Sequence, residues 1–211
     1  MLSSLRSTLF CACAAVFATG SFALAVQDQS SDTLKGSKAK SAFLKMEKPV
    51  HVGDFAFQRA TLRNGLRALA VQDTSPAKDG SAPTASIFVV IGAGNRDETA
   101  STSGLAHLTE HALYTGTATT GTDEHDRIVK KEFGAESNAF TRDDYTLYYD
   151  HGVPAKALPR VLAMEADRMA NLLFEEGPVL HERERLRKEE AYTWRPSTTR
   201  KEQLENAVYR K

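Results

Sequence analysis

The 211-residue sequence has only two cysteines, and both, Cys11 and Cys13, fall inside its first apolar run. A fold built from the rest of the chain has no disulfide and must be held by its core, with or without a metal. One-sided charge is also missing, with 27 Lys and Arg against 27 Asp and Glu. Neither a basic footprint for nucleic acid nor an acidic tail is present, so electrostatics defines no partner. Long apolar runs are absent too: the first, from about Leu9 to Phe22, falls short of a comfortable membrane span. Gly92-Ala93-Gly94 lacks a following Gly-Lys-Ser/Thr, which excludes a phosphate loop and leaves a tight exit from a strand. At 41% hydrophobic and 26% charged residues, the composition is that of an ordinary globular protein of one large domain or two small ones.

The first apolar run is laid out like an export signal. Arg6 lies in a short leading segment, and Ala23-Leu24-Ala25 places small residues where a signal peptidase reads them, which predicts cleavage before Val26. A retained anchor is the alternative. Residues 1–25 are therefore read as signal peptide, 26–50 as a flexible polar lead-in, and 51–211 as the folded domain, incomplete at its C-terminal end. The expected location is outside the cytoplasm, periplasmic or secreted, with no membrane contact after signal cleavage.

Structure is expected to begin near Phe55. Two strand-like runs, 55–62 and 66–71, flank Arg63-Asn64-Gly65, and Asn-Gly between such runs is the strongest short hairpin signal. A polar loop from Asp73 to Pro83 leads to a buried strand over 85–91. Ser103 or Gly104 can then open a helix on which Leu105, Leu108 and Ala112 face the core. A second helical segment spans about 123–133 and ends at Gly134, and strands over 138–141 and 145–149 follow, joined by Arg142-Asp143-Asp144. Pro154 begins a long helical pattern with an apolar stripe from Leu158 to Leu173, a break is expected at residues 175–178, and helices over about 179–194 and 198–211 close the chain. Strands followed by a block of helices predict an α+β fold, a mostly antiparallel sheet with helices packed on one face.

The chemistry concentrates in His107-Leu108-Thr109-Glu110-His111. Histidines at i and i+4 share a helix face and can reach one metal ion, and the order His-x-x-Glu-His is the inverted form of a zinc-peptidase signature. A solvated polar face would look similar, so the surroundings matter. Catalytic zinc takes three protein ligands, and the charged run from His181 to Glu190 is the place to seek the third. Glu182 and Glu189, seven apart, project from one face, so one can bind the metal while the other supports a histidine from behind.

Several segments in order resemble the pitrilysin or insulinase family of inverted-motif zinc metallopeptidases, at its N-terminal catalytic domain. Leu62-Arg63-Asn64-Gly65-Leu66 resembles the family's opening hairpin, and Gly94-Asn95-Arg96-Asp97-Glu98 with Gly104-Leu105-Ala106-His107 resembles its approach to the metal helix. Tyr114-Thr115-Gly116-Thr117, Asn138-Ala139-Phe140-Thr141 with Tyr148-Tyr149, and Glu182-Arg183 with Glu189 complete the series. The resemblance implies one Zn2+ per chain on His107, His111 and Glu189, with Glu182 behind them and Glu110 as the general base for a metal-activated water. Glu190 competes with Glu189 as third ligand, although it points about 100° away around the helix. Asn138, Ala139 and Phe140 would line a peptide substrate lying along the sheet edge. The family pairs such domains with others of related fold, which implies a second domain or subunit as partner. The alternative is a catalytically weak metal- or peptide-binding module or partner subunit that lacks the complementary domain. His51, His125 and His151 have no ligand partner at useful spacing and read as surface residues, His181 points off the Glu182 face, and Trp194 and the tyrosines at 145, 148 and 149 read as packing.

Overall fold

The computed structural model describes residues 12–19, 43–73 and 81–193, and the side chains of 12–19, 43–44 and 190–193 lie outside that description. The Asn-Gly hairpin joins β4 (Phe55–Leu62) to β5 (Arg67–Asp73). Gly65 takes φ +90°, a conformation that costs glycine little. Asn64 Oδ1 accepts the Leu66 N–H at 3.1 Å and closes the turn. The expected central strand is β6 (Thr84–Ile91), and a second hairpin of β7 (Glu136–Thr141) and β8 (Thr146–Pro154) pairs with it.

Two segments pair that the sequence left outside the sheet. Residues Ala12–Thr19, within the expected signal segment, form strand β1. Within the expected flexible lead-in, β2 (Phe43–Met46) and β3 (Val50–Val52) both lie along β4. The sheet order is β2-β4-β5-β1-β6-β8-β7, antiparallel throughout except where β1 runs parallel to β5. Apolarity does not distinguish an export signal from a buried strand, because a short apolar run serves either.

One face of β6 is closed to water: Ala85, Ile87 and Val89 are buried while their neighbours are half-buried. Helices cover that face. They are α1 (Leu105–Ala112), the short α2 (Glu124–Arg127) that runs into a π-helical turn over Ile128–Glu132, α3 (Leu158–Asn171) and α4 (Glu176–Thr193). Ile87 and Val153 pack with Val129, Leu158 and Val161, and beside them Val89 and Tyr148 pack with Leu113 at the end of α1. The expected break at 175–178 is instead the start of α4. Pro178 falls in its first turn, where the missing N–H has no intrahelical partner to lose.

The exit of β6 is clamped to the β7–β8 turn. Asn95 N–H donates to the Arg142 carbonyl at 3.0 Å, Arg96 N–H to the Asp143 carbonyl at 2.8 Å, and the Arg96 guanidinium pairs with Asp143 and Asp144. Gly94 makes this approach possible, because a Cβ there would stand 2.1 Å from the Arg142 carbonyl oxygen. Gly94→Ala is therefore expected to cost about 3 kcal/mol through backbone overpacking. Urea unfolding tests this, and a loss below about 1 kcal/mol would mean that the two loops are not in contact.

Candidate metal centre

The metal motif sits on α1, a helix of eight residues with no side-chain cap of its own. Of the two residues expected to open it, Gly104 does so, in the left-handed region, and the side-chain cap comes from a carboxylate of the preceding loop. Glu98 accepts the Gly104 N–H at 2.9 Å and the Ala106 N–H at 2.8 Å, placing negative charge at the positive end of the helix. Ala112 is buried and Leu108 half-buried as expected, but Leu105 is 52% exposed, because the first turn of the helix carries it away from the core.

His107 and His111 face the same way, their ring centroids 5.0 Å apart, and with Glu110 they present ligand atoms that all lie within 4.8 Å of one another. The long helix α4 packs against α1 and brings the two distal glutamates to this face. Glu182, buried, has Oε2 3.0 Å from His111 Nδ1, and its Oε1 accepts from Arg185 at 3.0 Å. A carboxylate here is placed to accept from Nδ1, an arrangement that turns Nε2 toward a metal. Glu189 Oε2 stands 3.5 Å from that Nε2. Ligand bonds of about 2.0–2.2 Å at tetrahedral angles put donor atoms roughly 3.3–3.5 Å apart, so this spacing fits His111 and Glu189 as two ligands of one ion, whereas the compact group that includes His107 has Glu110 as its carboxylate and not Glu189. Glu190, the competing ligand, lies outside the described side chains.

Glu110 is 7% exposed, and the hydroxyl of Thr141 donates to its Oε2 at 2.6 Å. Thr141 ends β7, the outermost strand, whose Ser137, Ala139 and Thr141 alternate with Glu136, Asn138 and Phe140. Arg142 N–H closes the hairpin on the Tyr145 carbonyl at 2.8 Å. By the alternation of an antiparallel ladder, Ala139 and Thr141 then turn their own N–H and C=O groups to the open edge. Of the residues expected to line a substrate, Ala139 contributes backbone to that edge. The side chains of Asn138 and Phe140 lie on the strand face opposite Thr141. Asn138 Oδ1 accepts the Ala139 N–H at 2.9 Å, and the Phe140 ring packs against Tyr145 and under Arg142. Tyr148 is core, and Tyr149 donates to Glu136 at 2.7 Å. Thr141 and Glu98 were quoted in the sequence motifs without a role. Strand periodicity from Ala139 identifies Thr141 as facing α1, whereas nothing local identifies Glu98 as a cap.

A second group of metal-ligating residues lies deeper, and it corrects the reading of His125 as a surface residue. His125 is 4% exposed, with Nε2 3.0 Å from Glu165 Oε1 and 3.5 Å from Asp150 Oδ2, a triad compact enough for a metal ion. Arg168 changes the account: its Nε and NH2 groups donate to both oxygens of Glu165, at 2.9 and 2.5 Å. Two carboxylates, the guanidinium and an imidazolium sum to zero, whereas a divalent ion beside Arg168 would leave buried positive charge in excess. The arrangement is an ion network tying α2 to β8 and α3. Burial alone would lower the His125 pKa, but the Asp150 and Glu165 carboxylates hold it above the ordinary 6.5. Burial raises Glu165, and the Arg168 charge with His125 more than reverses this, bringing it down to about 2.

The signs give a pH window. The His125 contribution is complete below about pH 6.5 and is lost as pH rises through its raised folded value. The Glu165 contribution is complete above the ordinary 4.5 and is lost as pH falls toward about 2. Removing the cation leaves Asp150, wholly buried, without a counter-charge at Nε2, so His125→Ala is expected to cost about 3–5 kcal/mol and to erase the alkaline limb. Urea midpoints measured from pH 5 to 9 check this, and an unchanged alkaline limb in the variant would contradict it.

The family model for insulinase (peptidase family M16) matches residues 76–211. The chain is 32% identical over 136 residues to a probable mitochondrial-processing peptidase subunit beta of Schizosaccharomyces pombe, which covers 63% of this chain and 27% of that protein. It is 33% identical over 127 residues to zinc protease PqqE of Helicobacter pylori, covering 60% of this chain and 27% of that protein. Among solved structures, a protease from Helicobacter pylori superposes with a TM-score of 0.57 at 31% identity, over 64% of this chain and 31% of that one. The chain thus spans about a quarter of the length of the curated relatives it matches.

Proposed function

The chain belongs to the insulinase family, peptidase family M16, and from that premise we propose that it is the zinc-bearing portion of a metalloendopeptidase acting on peptides or small unfolded proteins. His107, His111 and Glu189 hold one Zn2+, Glu182 supports His111 from behind, and Glu110 is the general base. The observation that carries this reading is the convergence of α4 on His111: one glutamate fixes the ring through Nδ1, and another stands 3.5 Å from Nε2. An unrelated polar helix would have no cause to supply both.

When bound, zinc acidifies a water molecule and polarises a peptide carbonyl. The residues of the chain do the rest. Glu110 takes the proton of the attacking water and returns it to the leaving amine. Glu182 keeps the proton of His111 on Nδ1 through the cycle, so the ligand nitrogen stays available. The edge at the Ala139 carbonyl and at Thr141 can accept an extended peptide as an added strand, once Asn138 Oδ1 yields the Ala139 N–H, with main-chain hydrogen bonds supplying affinity for many sequences. We further propose, from the signal-like layout of residues 1–25, that the chain acts outside the cytoplasm.

A second reading stands beside the first, because Glu189 lies outside the compact group of His107, Glu110 and His111. In it the chain binds metal or peptide and needs a further domain or subunit for efficient turnover. Metal analysis of the full chain and chelator-sensitive cleavage of an unstructured peptide library test both. One zinc per chain with cleavage supports the peptidase, and zinc without cleavage selects the module. No bound metal would sink the site.

A further inference from the structure

We infer that Thr141 is the positioning residue of the Glu110 carboxylate, an inference that rests on the peptidase reading above. A glutamate carboxylate turns almost freely about its last bond, so a helix alone does not decide which oxygen meets the water. Here the choice is made from the sheet. The Thr141 hydroxyl, on the β7 face turned toward α1, donates to Oε2 at 2.6 Å, and no other described residue hydrogen-bonds that carboxylate. Its next nearest hydroxyl partner, Thr146 Oγ1, is 3.4 Å away and can donate its own proton to the Ala93 carbonyl at 3.1 Å. The proton of Thr141 is therefore directed at Glu110.

The consequence is a division of labour within one carboxylate. Oε2 is occupied by a donor fixed to a paired strand, and Oε1 is left to take the proton of the water. Because Thr is β-branched and sits in a strand, its hydroxyl has few alternative directions, so the carboxylate plane is set before substrate arrives. Thr141 exchanges no proton with substrate and touches no reacting atom. It acts only through Glu110.

The test uses the full zinc-loaded chain, with a fluorogenic peptide as substrate and a peptide hydroxamate as an activity-independent probe. A hydroxamate shares its proton with the general base, so its affinity reports the placement of that base. Thr141→Val is expected to lower kcat about ten- to a hundredfold at unchanged KM and to weaken hydroxamate binding about tenfold, with zinc affinity unchanged. Thr141→Ser should restore both to within about threefold. In a Glu110→Gln background, Thr141→Val should add no further loss, because the group being positioned no longer accepts a proton. Unchanged kcat and hydroxamate affinity in Thr141→Val would overturn the inference while leaving the peptidase reading intact. So would a Thr141→Ser variant as impaired as Thr141→Val, or an equal loss in the Gln background, since both describe a purely structural residue. A wild-type chain that holds zinc but neither cleaves peptide nor binds hydroxamate overturns both the inference and the reading beneath it.

Discussion

Glu110→Gln is expected to keep its zinc and lose peptide hydrolysis by at least about 10³-fold, the upper part of the range for removing a general base. The substitution is nearly isosteric. The Gln carbonyl can still accept the Thr141 hydroxyl that reaches Oε2 at 2.6 Å, so the side chain need not move. Nothing that holds His111 is altered either, because Glu182 stays 3.0 Å from Nδ1 and Glu189 stays 3.5 Å from Nε2. On the proposed mechanism, the one property removed is the capacity to take a proton from water and return it to the amine. Metal content measured beside single-turnover cleavage separates these effects. A variant with full zinc and more than a tenth of the wild-type rate would transfer the base role to another group, and a variant that loses zinc would show that Glu110 holds the metal.

What could be read from the sequence was what local spacing determines. Asn64-Gly65 fixed the hairpin because a positive φ at Gly65 is a local demand. The histidines were recognisable because i and i+4 always share a helix face, and Glu182 with Glu189 because seven residues make two turns. His125 was misread for the complementary reason. Its partners Asp150 and Glu165 lie on other elements, and only the packing of α2 on β8 and α3 shows that its ring is buried between two carboxylates. Glu98 is similar: a cap six residues ahead of Gly104 follows from the path of a loop, which no periodicity describes. Leu105 fits the apolar stripe of α1 yet is exposed, since the stripe says which way a residue points and not whether protein lies beyond it.

A chain beginning at Val26 is expected to keep its metal centre and lose the protection of the β4–β5 hairpin. Strand β1 is paired on both sides, with β5 from Cys13↔Arg67 to Thr19↔Asp73 and with β6 from Ala12↔Ile91 to Ala18↔Ala85. Neighbouring strands stand about 4.8 Å apart, so removing one leaves β5 and β6 separated by about 10 Å, beyond any backbone hydrogen bond. The loss falls unevenly. Strands β6, β8 and β7 remain paired with each other and covered by helices; α1 and α4 carry the proposed metal ligands, and β7 carries Thr141. Strands β2, β3, β4 and β5 remain joined to one another, but β1 is their connection to the rest of the sheet. Amides of Leu69 and Val71 should then exchange with solvent orders of magnitude faster in the 26–211 chain, while those of α1 and β8 stay protected and zinc stoichiometry is unchanged. The newly open edge of β6, with Ile87 and Val89 beside it, should also make that chain prone to self-association. Hydrogen exchange read by mass spectrometry, with zinc analysis on the same samples, decides the matter. Equal protection of β5 in both chains would show that β1 is dispensable to the fold. The predicted loss would mean that cleavage before Val26 in the cell requires another strand to enter between β5 and β6.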